Sequence, residues 1–227
     1  MPTEMPDSEE IEFKEKFIER YEKLTDFKEF KKYSLSFLRR SIRVNTLKIS
    51  LDELKKRLEK NWNLEEIPWC KDGFYIEHIK KERRDIGNLI EHSLGYFYIQ
   101  EAASMIPPLV LEPKETDVVL DIAASPGSKT TQLAALMNNK GILVANDYQT
   151  QRMKPLSINV QRCGITNCVI TLMQGQWFKR SNIEFDKILV DAPCSGTGTI
   201  RKSLKTLRIW NPNMVRRLAG TQKQLIE

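Results

Sequence analysis

The stretch VVLDIAASPGSKTTQLAALM, residues 118–137, begins as a run that is apolar almost throughout, breaks at Ser125-Pro126-Gly127 and resumes with apolar residues at helical spacing. A run that is apolar on both faces predicts a strand buried from both sides over 118–122, and the segment after the break predicts a helix that covers it. The same signal returns downstream: ILVAND (142–147) stands before QTQRMKPLSINVQRCG (149–164), then comes CVITLM (168–173) and, after a loop, KILVDA (187–192). Strand and helix in alternation predict a parallel, doubly wound α/β sheet. In the spatial order 3-2-1-4 common to such sheets, KILVD stands at an edge, although it carries no proline or inward charge of the kind that protects edges. It therefore reads as a strand expecting one more neighbour. The segment 212–227, with Met214, Leu218 and Leu225 to bury, reads as the crossover helix toward that neighbour, so the sheet is expected to be C-terminally incomplete at Glu227.

Upstream the pattern differs. Phe13, Phe17, Tyr21 and Leu24 recur at helical spacing among Lys and Glu, which predicts an amphipathic helix with a core-facing stripe. SIRVNTLKIS (41–50) and GFYIEHI (73–79) read as strands and LDELKKRLEK (51–60) as a short helix, together a small α+β domain. The charged run KKERRD (80–85) marks the seam, and the expected domains are 1–90 and 91–227. With 227 residues, 41% hydrophobic and 29% charged, the composition is that of a soluble globular chain, and no apolar run approaches the roughly 18 residues of a membrane span. The N-terminal MPTEMPDSEEIEF has no apolar signal region, so a cytoplasmic location is expected. Cys70, Cys163, Cys168 and Cys194 lack C-x-x-C spacing and only His78 and His92 accompany them, which argues against a zinc site or a disulfide framework; no metal is expected. A formal charge of +6 favours a polyanionic partner.

Ligands of doubly wound sheets lie beyond the carboxyl ends of the strands, which directs attention to A-A-S-P-G-S-K, residues 123–129. With one glycine it matches neither the dinucleotide fingerprint nor a phosphate-binding P-loop, so a phosphate-bearing cofactor is disfavoured. Asp147 ends the second strand, where a carboxylate can take the hydroxyls of a ribose; the alternative is that it caps the next helix. Adenosine without phosphates fits both observations, and S-adenosyl-L-methionine is the expected cofactor.

The runs R-V-N-T-L-K (43–48), G-Y-F-Y-I-Q-E-A-A-S-M (95–105), D-I-A-A-S-P-G-S-K-T-T (121–131), A-N-D (145–147) and D-A-P-C-S-G-T-G (191–198) together resemble the Sun-type (Nop/Sun) RNA cytosine-5 methyltransferases, in an archaeal-like form. The resemblance covers the chain from about residue 40 onward. It implies a Rossmann-like S-adenosylmethionine-dependent methyltransferase sheet behind a small N-terminal RNA-binding domain, with tRNA or rRNA as substrate. It further implies a cofactor site of Ala123, Ala124, Ser125, Pro126, Gly127, Lys129, Asp147, Arg152 and Gln174, with Asp191 at its rim. The family's D-G-R-like stretch, whose Asp meets the adenine amino group, is here Gln174-Gly175-Gln176.

The D-A-P-C run raises the question of what Cys194 does. Carbon 5 of cytosine is too weak a nucleophile to take a sulfonium methyl unaided, whereas a thiolate added at carbon 6 pushes electron density onto carbon 5 and is eliminated after the carbon 5 proton leaves. Asp191, three residues before Cys194, suits the amino and ring-nitrogen edge of the base. Cys194 and Asp191 are the expected catalytic pair. The resemblance assigns attack to a second cysteine in a T-C dipeptide and product release to the P-C cysteine; no T-C occurs in this sequence. Cys70, Cys163 and Cys168 read as small buried residues. For RNA, the cations Arg201, Lys202, Lys205 and Arg208 follow the D-A-P-C loop, and Arg39, Arg40, Arg43 and Lys48, with Asn45 in the same run as Arg43, lie upstream. Trp210 is either a stacking platform or a core residue. The competing reading is a non-catalytic RNA- and cofactor-binding module; a nicotinamide-dependent oxidoreductase lacks its glycine fingerprint.

Overall fold

The computed structural model describes residues 3–80 and 85–227. The charged run expected to form the domain seam falls largely on 81–84, outside the described residues. In chain order the strands are β1 (Ser41–Val44), β2 (Trp62–Ile67), β3 (Cys70–His78), β4 (Phe97–Ile99), β5 (Val118–Asp121), β6 (Ile142–Asp147), β7 (Cys168–Leu172) and β8 (Lys187–Leu189). The α-helices are α1 (Glu15–Tyr21), α2 (Phe27–Ser34), α3 (Leu51–Leu58), α4 (Ile90–Ser93), α5 (Ile106–Leu111), α6 (Ser128–Leu136), α7 (Thr150–Cys163), α8 (Lys205–Ile209) and α9 (Pro212–Ile226). The chain divides into two compact units, Arg40–Asp191 and Met1–Arg39 together with Ala192–Glu227.

The unit Arg40–Asp191 contains both sheets. The parallel sheet has the order β7-β6-β5-β8, the 3-2-1-4 arrangement expected from the apolar runs, with β8 paired to β5 at one edge. Val119, Leu120, Leu143 and Ala145 of the two central strands are buried, as strands covered on both faces must be. The edge strands depart from that expectation: Val169 on β7 is 55% exposed and Ile188 on β8 is 46% exposed. The second sheet is antiparallel, β2-β3-β1-β4. The sequence pattern found β1, α3 and β3 but not β2 and β4. Paired acids, Glu65 and Glu66, interrupt β2, and β4 has only three residues, too few for a period to register.

Local chemistry sets the helix ends. Ser50 and Glu53 form a reciprocal capping box at α3: Glu53 N donates to Ser50 Oγ at 3.3 Å and Ser50 N to Glu53 Oε2 at 3.3 Å. Leu54 and Leu58, one turn apart, then face the core.

In the unit formed by the two chain ends, Phe13 and Phe17 are buried around Trp210, whose ring centroid lies 4.8 Å from that of Phe17. The expected stripe holds through Tyr21 and then fails. Helix α1 stops at Tyr21, and Leu24 in the following turn is 69% exposed. Helix α9 begins with Pro212 in its first turn and an Asn211 side chain that accepts from Met214 N at 2.9 Å. Its Met214, Leu218 and Leu225 are half-buried.

Candidate active site

The loop 123–127 leaves β5 at the carboxyl edge of the parallel sheet. Gly127 adopts φ +104° and initiates α6; a side chain there would be strained, and its Cβ would crowd Leu156 Cδ1 at 3.2 Å. Ala124 N donates to Asn146 O at 2.7 Å, Gly127 N donates to Ala124 O at 2.7 Å, and Asn159 Nδ2 donates to Pro126 O at 2.9 Å, so the turn is held from β6 and α7. Beneath it, Asp121 is buried at the end of β5 and accepts from Thr130 Oγ1 at 2.7 Å. Burial raises its carboxyl to about 6, against the opposing hydrogen bond from Thr130 and the nearby Lys129 ammonium.

Asp147, at the end of β6, is 1% exposed. Its Oδ1 accepts from Gln149 N at 3.1 Å. Its Oδ2 has no hydrogen-bond partner, although Arg152 Nη1 stands 3.4 Å away as an ion pair. Arg152 also donates from Nη2 to Ser125 O, and Ser125 Oγ donates to Arg152 O at 2.7 Å. Ser125, Asp147 and Arg152 are thus one cluster. Gln174 is exposed at the start of a short 3-10 turn, where its Oε1 accepts from Gln176 Nε2 at 2.7 Å.

A second cluster joins α6 to the strand edge: Lys129 Nζ meets Asp191 Oδ2 at 2.5 Å. Since β5 and β8 are parallel neighbours, with Asp121 in register with Leu189, the cofactor-type loop and the D-A-P-C run leave adjacent strand ends.

Asn146 was missed from sequence. It is fully buried and its side chain makes four bonds: Nδ2 donates to Ile122 O at 3.1 Å and Met173 O at 2.9 Å, and Oδ1 accepts from Thr171 Oγ1 at 2.9 Å and Met173 N at 3.2 Å. It therefore pins the segments that leave β5 and β7. An amide inside an otherwise apolar strand must find such partners, and that was the available signal.

Cys194 lies in the unit formed by the chain ends and is exposed. Burial raises the thiols of Cys70 and Cys163, and that of Cys168 to about 12. The Cys194 loop is held on both sides within its own unit. Gln222 Nε2 of α9 donates to Pro193 O at 2.9 Å, while the Thr197 hydroxyl lies 2.9 Å from Ser195 Oγ and 2.8 Å from Tyr21 OH. Tyr21 and Gln222 carried no sequence signal for this role.

Two of the expected RNA contacts, Arg43 and Asn45, are buried, and a third, Lys48, is exposed. Arg43 is 3% exposed, donating from Nε to Gln100 Oε1 at 2.9 Å and from Nη2 to Thr131 Oγ1 at 2.9 Å, and burial lowers its pKa. Asn45 is buried and donates to Gly95 O and Cys163 O, each at 2.8 Å. The Lys48 ammonium donates to Leu94 O at 3.0 Å and to Arg162 O at 2.8 Å, the latter a terminal carbonyl of α7. Arg43 and Asn45 are internal ties, whereas Lys48 lies at the surface. Arg201 is half-buried and its Nε donates to Ser36 O at 3.4 Å, whereas Lys202, Lys205 and Arg208 are exposed. Of the two alternatives for Trp210, the core residue is correct: it is 0% exposed.

Residues 108–227 match the family described as 16S rRNA methyltransferase RsmB/F. The chain belongs to the RsmB/F methyltransferase family. Residues 13–102 of this family member match the N-terminal domain of 16S rRNA methyltransferase RsmF. The chain is 52% identical over 194 residues to the ribosomal RNA small subunit methyltransferase F of Shewanella oneidensis, covering 84% of this chain and 40% of that protein. It is 48% identical over 212 residues to a tRNA (cytosine(49)-C(5))-methyltransferase of Pyrococcus abyssi, covering 93% of this chain and 67% of that one. The fold matches the crystal structure of a methyltransferase homolog from Pyrococcus horikoshii with a TM-score of 0.84 and 35% identity, over 98% of this chain and 72% of that one. The sheet is therefore a Rossmann-like methyltransferase sheet. No helix among the described residues is long and apolar enough to cross a membrane.

Proposed function

We propose that this chain takes part in transfer of a methyl group from S-adenosyl-L-methionine to carbon 5 of a cytosine in tRNA or rRNA, with residues 91–227 as the methyltransferase domain and 1–90 contributing to RNA binding. The observation that carries the reading is the Lys129–Asp191 contact at 2.5 Å, which joins the loop-helix that follows β5 to the start of D-A-P-C.

The residues fit the cofactor. Asp147 Oδ2 is buried without a hydrogen-bond donor, and a ribose hydroxyl is a donor of the right kind once Arg152 moves aside. The loop carries no phosphate-binding glycine pattern, in keeping with an adenosine that bears none. When bound, S-adenosyl-L-methionine supplies an electrophilic methyl group. Ser125, Gly127 and Asp147 orient it, and Asp191, held by Lys129, accepts from the amino group of the cytosine. A thiolate forms a sulfur–carbon 6 bond and sends the electron pair to carbon 5; after methylation a base takes the carbon 5 proton, the pair re-forms the 5,6 double bond and the sulfur leaves. Cys194, the exposed thiol, serves that cycle.

The test joins this chain to the remaining segment of its Pyrococcus abyssi relative and offers RNA containing 5-fluorocytosine, whose fluorine blocks the final elimination. An adduct on denaturing gels that disappears in Cys194→Ala makes Cys194 the attacking group. With ordinary RNA, an adduct that accumulates only in Cys194→Ala makes it the releasing group. No adduct in either protein, with cofactor bound, contradicts carbon 5 transfer.

A further inference from the structure

The unit that carries Cys194 also contains an open hollow of about 440 Å³, bordered by Glu29, Phe30 and Tyr33 of α2 and by Thr197, Gly198 and Arg201. Its second wall begins three residues after Cys194, a stretch of chain that spans at most roughly 11 Å. An occupant of the hollow is therefore within reach of whatever nucleotide adjoins a base at Cys194.

The lining has the chemistry of a single-stranded base site. Tyr33 is 47% exposed and offers an aromatic surface. Phe30 behind it is fixed by stacking on Tyr21, with centroids 5.2 Å apart. The Arg201 guanidinium is tethered at the rim by its bond to Ser36 O at 3.4 Å. Thr197 hydrogen-bonds Tyr21 and Ser195, so one wall is continuous with the D-A-P-C loop. RNA bases displaced from a stack are held on aromatic rings and Arg planes and are read at their edges by hydrogen bonds. Glu29 offers acceptors only, which favours a base with an exocyclic amine over uracil.

We propose that this hollow binds a nucleobase of the substrate RNA adjacent to the target cytosine, stacked on Tyr33 beside Arg201, and so contributes to the choice of sequence. The inference rests on the RNA reading of the proposed function. Fluorescence anisotropy tests it on this 227-residue chain. The probes are short single-stranded oligoribonucleotides with one central cytosine, intact or with an abasic ribose at either flank. Tyr33→Ala should weaken binding of the intact RNA about tenfold, and Tyr33→Phe should restore it. One abasic flank should cost the wild-type chain a similar factor and cost Tyr33→Ala nothing further, and uracil at that flank should bind less tightly than adenine. Equal losses for Tyr33→Ala on intact and abasic RNA, or no loss on either, would overturn the hollow as a base site while leaving RNA binding in place. A wild-type chain that binds none of these RNAs overturns the RNA reading and this inference together.

Discussion

Lys129 and Asp191 meet at 2.5 Å although 62 positions separate them, and the contact ties the first turn of α6 to the residue that opens D-A-P-C. The Lys129 side chain is 14% exposed and that of Asp191 52%, so water screens the pair and its worth to folding is small, about 1 kcal/mol or less. Asp191→Asn is therefore expected to leave the urea midpoint nearly unchanged while slowing adduct formation on 5-fluorocytosine RNA by roughly two orders of magnitude or more. A large stability loss with an unaltered adduct rate would make Asp191 a structural residue.

Arg43 gives the opposite expectation. Its removal takes the Nε donor from the buried Gln100 Oε1 and leaves the Thr131 hydroxyl only its bond to Ser128 O, so Arg43→Ala should lose about 2–4 kcal/mol of stability. RNA affinity, measured below the denaturation range and corrected for the folded fraction, should not change. Chemical denaturation and anisotropy on the same samples decide it.

The contrast between these residues marks how far the sequence could be read. The parallel sheet was legible because VVLDI, ILVAND and KILVD are apolar almost throughout, whereas position alone left Asp147 divided between a ribose carboxylate and a helix cap. The burial of Arg43 and Asn45 was not legible because a cation or amide beside a basic run looks solvated, and their partners are carbonyl, amide and hydroxyl groups as many as 118 residues away. Tyr21 and Gln222 were invisible as supports of the Cys194 loop for the same reason: their partners, Thr197 and Pro193, become neighbours only after folding.

Asn146 should be intolerant of change. Asn146→Ala abandons four hydrogen bonds in a fully buried position and should lose on the order of 2–4 kcal/mol, with cofactor affinity falling in the fraction that remains folded. Calorimetry after a denaturation control separates the two effects; unchanged affinity would show that the β5 and β7 loops keep their shape without the clamp.

Asp121 predicts a pH effect of defined sign. Burial raises its carboxyl from 3.8 to about 6 in the folded chain. Between those values the folded state binds more protons than the unfolded one, so this group's contribution to stability falls as pH rises and levels off above the folded value. Asp121→Asn keeps an acceptor for Thr130 and removes the ionisation. The variant should gain on wild type by at most about 2–3 kcal/mol as pH rises from about 4 to about 6. Urea midpoints that run parallel across that range would contradict it.

Titration calorimetry on the chain tests whether the carboxyl ends of β5 and β6 bind S-adenosyl-L-methionine through Asp147. The wild-type chain should show a single saturable site, and Asp147→Asn should lose about 10- to 100-fold in affinity, the worth of a hydrogen bond to a charged group. Wild-type binding that Asp147→Asn leaves intact, or no binding by a folded wild-type chain, would contradict it.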